Sequence, residues 1–305
     1  MMQCHTCGHH DGTGVGETPA TRRLGYVTID MHCHVMVPEV EALVAGHPAR
    51  EADALAYQQS QGTASVQQNF RMRDAIALRL KSAEVRLADM DRLGIDIQVL
   101  SPSPMQYYTW AEPGLARTIS DRQNRRNAEL VSGHPDRFVG LGSVPLQHPS
   151  IACDVLESLM HEHGLLGVEI TSDPTGQGLD DPGLNPFWQK AEALGAVIFL
   201  HPMGTTLGQR VNRYYLSNII GQPLETTIAL SELIYSGVLD RFPGLKVCAA
   251  HGGGFLPFAV GRSDHGHGVR PEAKGCQHPP SHYLTQFWYD TVVFRPESVR
   301  ALIDV

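Results

Sequence analysis

The stretch Val27-Thr28-Ile29-Asp30-Met31-His32-Cys33-His34 begins as an apolar, β-branched strand and closes on two histidines one residue apart. Side chains at i and i+2 of a strand point to the same side, so both imidazoles can converge on one ion. Two ordinary loop histidines after an edge strand are the competing reading. Three later runs repeat the arrangement of an apolar strand ending in a polar group. Ala196-Val197-Ile198-Phe199-Leu200 leads into His201 and Pro202, and Val247-Cys248-Ala249-Ala250 leads into His251-Gly252-Gly253-Gly254. Phe287-Trp288-Tyr289 leads into Asp290. His201 could also be a core histidine bonded to a carbonyl. The glycines after His251 let backbone approach a ligand closely.

Outward from these runs, short strands alternate with helical stretches. Strands are expected at Val27–Met31, Ile95–Leu100, Phe138–Val144, Gly167–Ile170, Val197–His201, Lys246–His251 and Phe287–Thr291. Helical patterning covers Arg73–Leu93, Ile119–Ser132, Ile151–His163, Asn185–Leu194 and Glu225–Leu239, with Gly94, Gly133, Gly164 and Gly195 as stop signals. Strands joined by crossover helices pair in parallel, and repetition of the unit points to an α/β fold of the (β/α)8 TIM-barrel type. Only seven strands can be placed. The chain ends at Ala301–Val305 in what reads as the helix after the seventh, so the expectation is a truncated barrel of low activity with unpaired edges. Residues 26–305 form this unit. Residues 1–25 read as a flexible tail, and the long polar segment 37–71 as a lid-like insertion at the face where barrels do their chemistry.

Composition narrows the function. The 305 residues carry 24 Lys+Arg against 32 Asp+Glu, a net charge of −8, which argues against a nucleic-acid partner. No run approaches the ~20 apolar residues of a membrane span, and no signal peptide is visible. Six scattered cysteines fit a reduced, cytoplasmic protein. Several motifs lose on context. His161-Glu162-His163 sits at a helix end, where i and i+2 diverge, and His265 and His267 flank glycines in an expected loop. A serine hydrolase would need a G-x-S-x-G elbow beside His-Gly-Gly-Gly, and the chain has none. Gly12–Gly16 follows no strand, so it is no dinucleotide fingerprint. Cys4-x-x-Cys7 with His9 and His10 imitates a zinc knuckle but lacks a second ligand pair.

Together the I-D-M-H-x-H start, the strand ending in His-Pro and the strand ending in His-Gly-Gly-Gly resemble the decarboxylase branch of the amidohydrolase superfamily. Within it they resemble the aminocarboxymuconate semialdehyde decarboxylases most. Asn69-Phe70-Arg71, Gly208-Gln209-Arg210, Pro223-Leu224-Glu225-Thr226 and the stretch from Lys246 through Arg262 carry the likeness further. The resemblance implies one divalent ion, zinc first and manganese second, on His32, His34 and His201. It implies His251 as general acid/base, and Arg71 and Arg262 as a clamp on substrate carboxylates, Arg262 reaching in from a neighbouring subunit of a homodimer. The family's last ligand is an aspartate on strand eight. Asp290, on strand seven, does not match it and is expected as a carboxylate supporting the ligands. The implied reaction is decarboxylation of a small unsaturated or aromatic acid. A lactone or amide hydrolase using the same metal, or an inactive truncated barrel, are the alternatives. Tyr107-Tyr108-Thr109-Trp110 could stack a planar substrate or merely pack. Elemental analysis of the purified chain is expected to find about one zinc or manganese ion, lost on His32→Ala.

Overall fold

The computed structural model describes residues 25–305. The Cys4/Cys7 cluster and the rest of the expected tail up to Leu24 lie outside the described residues. β1 (Ile29–Val35) is followed by α1 (Pro38–Val44), α2 (Pro48–Gln61), α3 (Thr63–Lys81) and α4 (Ala83–Leu93) before β2 (Ile97–Pro102). Then come α5 (Pro113–Gly133), β3 (Phe138–Gly140), α6 (Pro149–His161), β4 (Gly167–Ile170), α7 (Asn185–Leu194) and β5 (Val197–Leu200). The chain continues through α8 (Gln222–Tyr235), α9 (Val238–Arg241), β6 (Lys246–Ala249), α10 (Leu256–Val269), α11 (Pro280–Tyr283), β7 (Phe287–Tyr289) and α12 (Pro296–Ile303).

Every strand pairing is parallel, in the order β1-β2-β3 and β4-β5-β6-β7. A bridge between Gly142 and Val168, with the hydrogen bonds Leu166 N to Gly140 O and Glu169 N to Gly142 O (both 2.9 Å), joins the two sheets. Among the described residues β1 and β7 each take one strand partner. The fold is therefore α/β with a parallel arc of seven strands, and closure into an eight-stranded barrel is not among these pairings. No helix among the described residues is long and apolar enough to cross a membrane.

Strand alternation divides the core. On β5, Ile198 and Leu200 face the helices within the largest apolar cluster, together with Trp188 and Phe187 of α7. Phe199 faces the other way, packing with Val99, Leu141, Cys248 and Ala250 inside the arc. The same alternation carries His201 inward one step beyond Phe199. In β1 the register slips between Asp30 and Cys33, so Met31 and His32 together stand against Val99. This bulge re-aims the strand where its histidines begin.

Three local expectations need correction. Segment 37–71 is helical, not a long loop. Pro38 and Pro48 open α1 and α2 at their first turns, and His47 Nδ1 accepts from Ala49 N. α1 is short and buries Val40 and Val44, whereas α2 is polar and largely exposed, so it shows little apolar period while its Ala, Glu and Gln residues favour helix. The helix expected over Arg73–Leu93 is broken at Ser82, whose hydroxyl accepts from Val85 N and caps α4. His265 and His267 lie in α10, which runs through the glycines expected to end it. Phe199→Ala is expected to cost about 3–5 kcal/mol in urea unfolding with an unchanged m value, since it empties the centre of the arc.

Candidate metal centre

The C-terminal half of β1, the ends of β5 and β6 and the end of β7 all open at one place. There four imidazoles meet. Ring centroids lie 4.9 Å apart for His32 and His34, 4.9 Å for His32 and His201, and 4.8 Å for His34 and His201. His251 completes the group, 5.6 Å from His32 and 5.0 Å from His201. Ligand nitrogens of His32, His201 and His251 all fall within 4.8 Å of one another, and His32 Nε2 is 3.1 Å from His34 Nε2. The three expected ligands and the expected acid/base are thus brought together.

Each histidine of the H-x-H pair has its own buried carboxylate. His32 Nδ1 donates to Asp290 Oδ2 at 2.7 Å, and His34 Nδ1 lies 3.3 Å from Glu169 Oε2. A carboxylate can only accept, so His32 Nδ1 carries the proton and its Nε2 presents a lone pair, while His34 Nδ1 also lies 3.4 Å from Ser101 Oγ. The lone pair of His32 faces His34 Nε2 at 3.1 Å, within reach of one shared ion. His201 Nδ1 is likewise buried with no hydrogen-bond partner among the described residues. Donor chemistry and arrangement both fit a divalent ion of the zinc or manganese kind.

The electrostatics agree. Burial, reinforced by the neighbouring imidazoles of His34, His32 and His251, pushes His201 well below the usual histidine range. Burial and His32 lower His251 to about 4, although Asp290 opposes them. Burial works against charge on Asp290 too, yet the hydrogen bond from His32 holds it below the ordinary carboxylate value. Neutral imidazoles are what a metal needs. Asp290 also accepts from His251 N at 2.9 Å and Gly252 N at 2.7 Å, fixing the His-Gly-Gly-Gly turn. His251 itself sits at φ 57°, unusual for a residue with a side chain. At Gly254 a Cβ would fall 2.1 Å from Pro223 O, so the loop packs on α8 only as glycine.

Arg71 is exposed on α3, 3.4 Å from Gln68 of its own helix, and Arg262 is exposed on α10. Tyr107 joins the site, whereas Trp110 does not: it stacks on His47 at 4.5 Å. A group that sequence reasoning missed is centred on Glu169, which is 1% exposed and accepts from Tyr107 Oη at 2.6 Å and from Ser101 Oγ. Arg86 is missed too, donating from within the core to His34 O. A lone carboxylate within the apolar run Gly167–Ile170 was the available signal. Beside Tyr107 opens a cavity of about 380 Å³, walled by Asp53, Tyr57, Thr109, Thr171 and Met203.

A cluster of histidines at the ends of parallel strands, backed by carboxylates, defines the class: an α/β protein with a candidate metal centre. The amidohydrolase family model matches residues 29–305, and the chain belongs to that family. It is 34% identical to the 2-amino-3-carboxymuconate-6-semialdehyde decarboxylase of Dictyostelium discoideum, over 92% of this chain and 71% of that protein. The structure of 5-carboxyvanillate decarboxylase from Sphingomonas paucimobilis superposes with a TM-score of 0.77 at 25% identity, covering 92% of this chain and 85% of that one. The corresponding enzyme of Novosphingobium aromaticivorans, solved with manganese and a nitrobenzoic acid, shares the fold with a TM-score of 0.80 at 23% identity, covering 92% and 83%. These relatives and neighbours are decarboxylases.

His251 has a folded-state pKa of about 4 against an unfolded value of about 6.5, so between the two the unfolded chain binds more protons. Stability of the metal-free protein is therefore expected to fall as pH drops from about 6.5 to about 4, with His201 acting in the same direction. Calorimetric Tm against pH in chelator checks this, and His251→Gln is expected to flatten the profile.

Proposed function

We propose that this chain is a metal-dependent carboxy-lyase for a small unsaturated or aromatic carboxylic acid. The observation that carries the reading is the confrontation of His32 and His34 Nε2 at 3.1 Å inside a cluster of buried imidazoles. His32, His34 and His201 hold one divalent ion, zinc or manganese. When bound, that ion supplies positive charge that polarises substrate oxygens and stabilises the electron-rich state left as carbon dioxide departs.

His251 is the proton carrier. Neutral at pH 7, it accepts a proton from water and returns it to the carbon that has lost its carboxylate, so that R–COO⁻ and H⁺ become R–H and CO₂. Asp290 holds His32 in its ligating tautomer and fixes the His251 turn. Arg71 and Arg262 clamp substrate carboxylates. Exposure of Arg262 on α10, beside the exposed rings of Phe255 and Phe258, favours a homodimer in which it serves the neighbouring subunit's site. We further infer a fold of the TIM-barrel type, a 37–71 insertion acting as a lid over the cavity that α2 walls, and a reducing cytoplasmic location in keeping with the thiols of Cys153, Cys248 and Cys276.

The test is release of carbon dioxide by zinc- or manganese-loaded protein from aminocarboxymuconate semialdehyde and from hydroxybenzoates. His251→Asn is expected to lower kcat by about 10²–10⁴ with metal content unchanged. Hydrolysis of a lactone or amide without carbon dioxide would replace this reading with that of a hydrolase.

A further inference from the structure

Glu169 has no place in the reaction just described, yet its position in the fold is costly. On β4, Val168 and Ile170 pack against the outer helices, and alternation turns Glu169 into the arc, where it is 1% exposed. A carboxylate buried there needs partners. It accepts hydrogen bonds from Ser101 Oγ and from Tyr107 Oη at 2.6 Å, and its third neighbour, His34 Nδ1, stands 3.3 Å away as an ion-pair partner; none of the three is a lysine or arginine. What distinguishes the three is that only the imidazole has a second nitrogen aimed at the metal centre.

We propose that Glu169 is the positioning residue that makes His34 a ligand, by accepting from Nδ1 and so reserving Nε2 as a lone pair. The inference rests on the metal-site reading above and assigns the ligand's tautomer to a particular strand. Backbone contacts do not do this work. Arg86 holds the carbonyl of His34, which fixes where the strand runs but leaves the ring free to choose its proton. Ser101 Oγ stands 3.4 Å from Nδ1 and is itself turned to Glu169. Without an acceptor at Nδ1, the ring can put its proton on Nε2, which then cannot bind an ion. Glu169 thus stands to His34 as Asp290 stands to His32, from the opposite side of the arc. The two differ in support. Asp290 takes backbone donors from His251, Gly252 and Val292, whereas the donors named for Glu169 are all side chains. One of them, Tyr107, also lies 3.1 Å from His201 O and lines the cavity, so the same carboxylate ties a cavity wall to two ligand-bearing strands.

Substitution separates the acceptor from the volume. In Glu169→Gln the amide oxygen can face His34 and Ser101 while its NH₂ faces Tyr107, whose hydroxyl then turns to His201 O. Glu169→Met keeps the bulk and removes the acceptor. Zinc and manganese affinities are read by competition with a chromogenic chelator, and thermal unfolding of the metal-free proteins reads the fold. Glu169→Met is expected to weaken binding about 10–100-fold and Glu169→Gln by less than about tenfold, with metal-free Tm close to that of the wild type. Equal affinity in Glu169→Met and wild type overturns the inference while leaving the metal site standing. Failure of the wild type to bind either ion overturns the metal site itself, a different outcome. Should Glu169→Met not fold, ¹⁵N-histidine spectra of the metal-free wild type decide: a lone-pair nitrogen at His34 Nε2 supports the inference, and a protonated Nε2 overturns it.

Discussion

The hydrogen bond from His32 to Asp290 joins residues 258 apart in sequence, at opposite ends of the strand order, and does so where both are buried. Its 2.7 Å length means that the arc must curl until its first and seventh strands nearly touch at their carboxyl ends. From that one contact much of the site follows. It settles the tautomer of His32, and it keeps Asp290 ionised against the burial that would neutralise it. It also leaves Asp290 oxygens to receive the backbone of His251 and Gly252, so the turn after β6 is placed by the pair that orients β1. A buried carboxylate that has lost any of these donors is a destabilising charge, which is why the donors are held together.

Around this contact the site is built by opposition. Four imidazoles crowd within a few ångströms, and burial together with the neighbouring rings lowers the proton affinity of His201 and His251. Glu169 and Asp290 face two of them from different strands and orient both lone pairs inward. A set of neutral donors with fixed tautomers is strained in isolation and satisfied by a cation. The fold stabilises that arrangement through the apolar floor beneath it, where Phe199 meets the His32 ring edge-on at 5.3 Å.

The insertion between β1 and β2 shows a different economy. Val40, Val44 and Met90 anchor its first and last helices in the core, and polar contacts fasten the rest: Arg50 to Glu41, Tyr108 to Glu41, and Gln106 to the backbone of Val37, each below 3.0 Å. Polar fastening can be undone and remade at low cost, in contrast to the apolar core beneath the strands. That difference suits an element that walls a cavity.

Much of this was legible in the chain itself, because it depends on periodicities of two and 3.6 residues. Apolar runs ending in His32, His34, His201, His251 and Asp290 identify parallel strands and mark their functional ends, since local alternation alone decides which side chains share a face. The seven strand positions needed nothing more. Local pattern did not reveal the helices of segment 37–71, where α1 is too short to show a period and α2 is mostly polar, with tertiary contacts such as Tyr108 to Glu41 holding the segment in place. Nor could it reveal the bulge that re-aims His32, because register is a property of two strands and not of one. Above all, it gave no sign that Glu169 faces His34, or which histidine Asp290 would meet. Which carboxylate meets which imidazole is decided by the curvature of the whole sheet, and only the tertiary structure has that curvature.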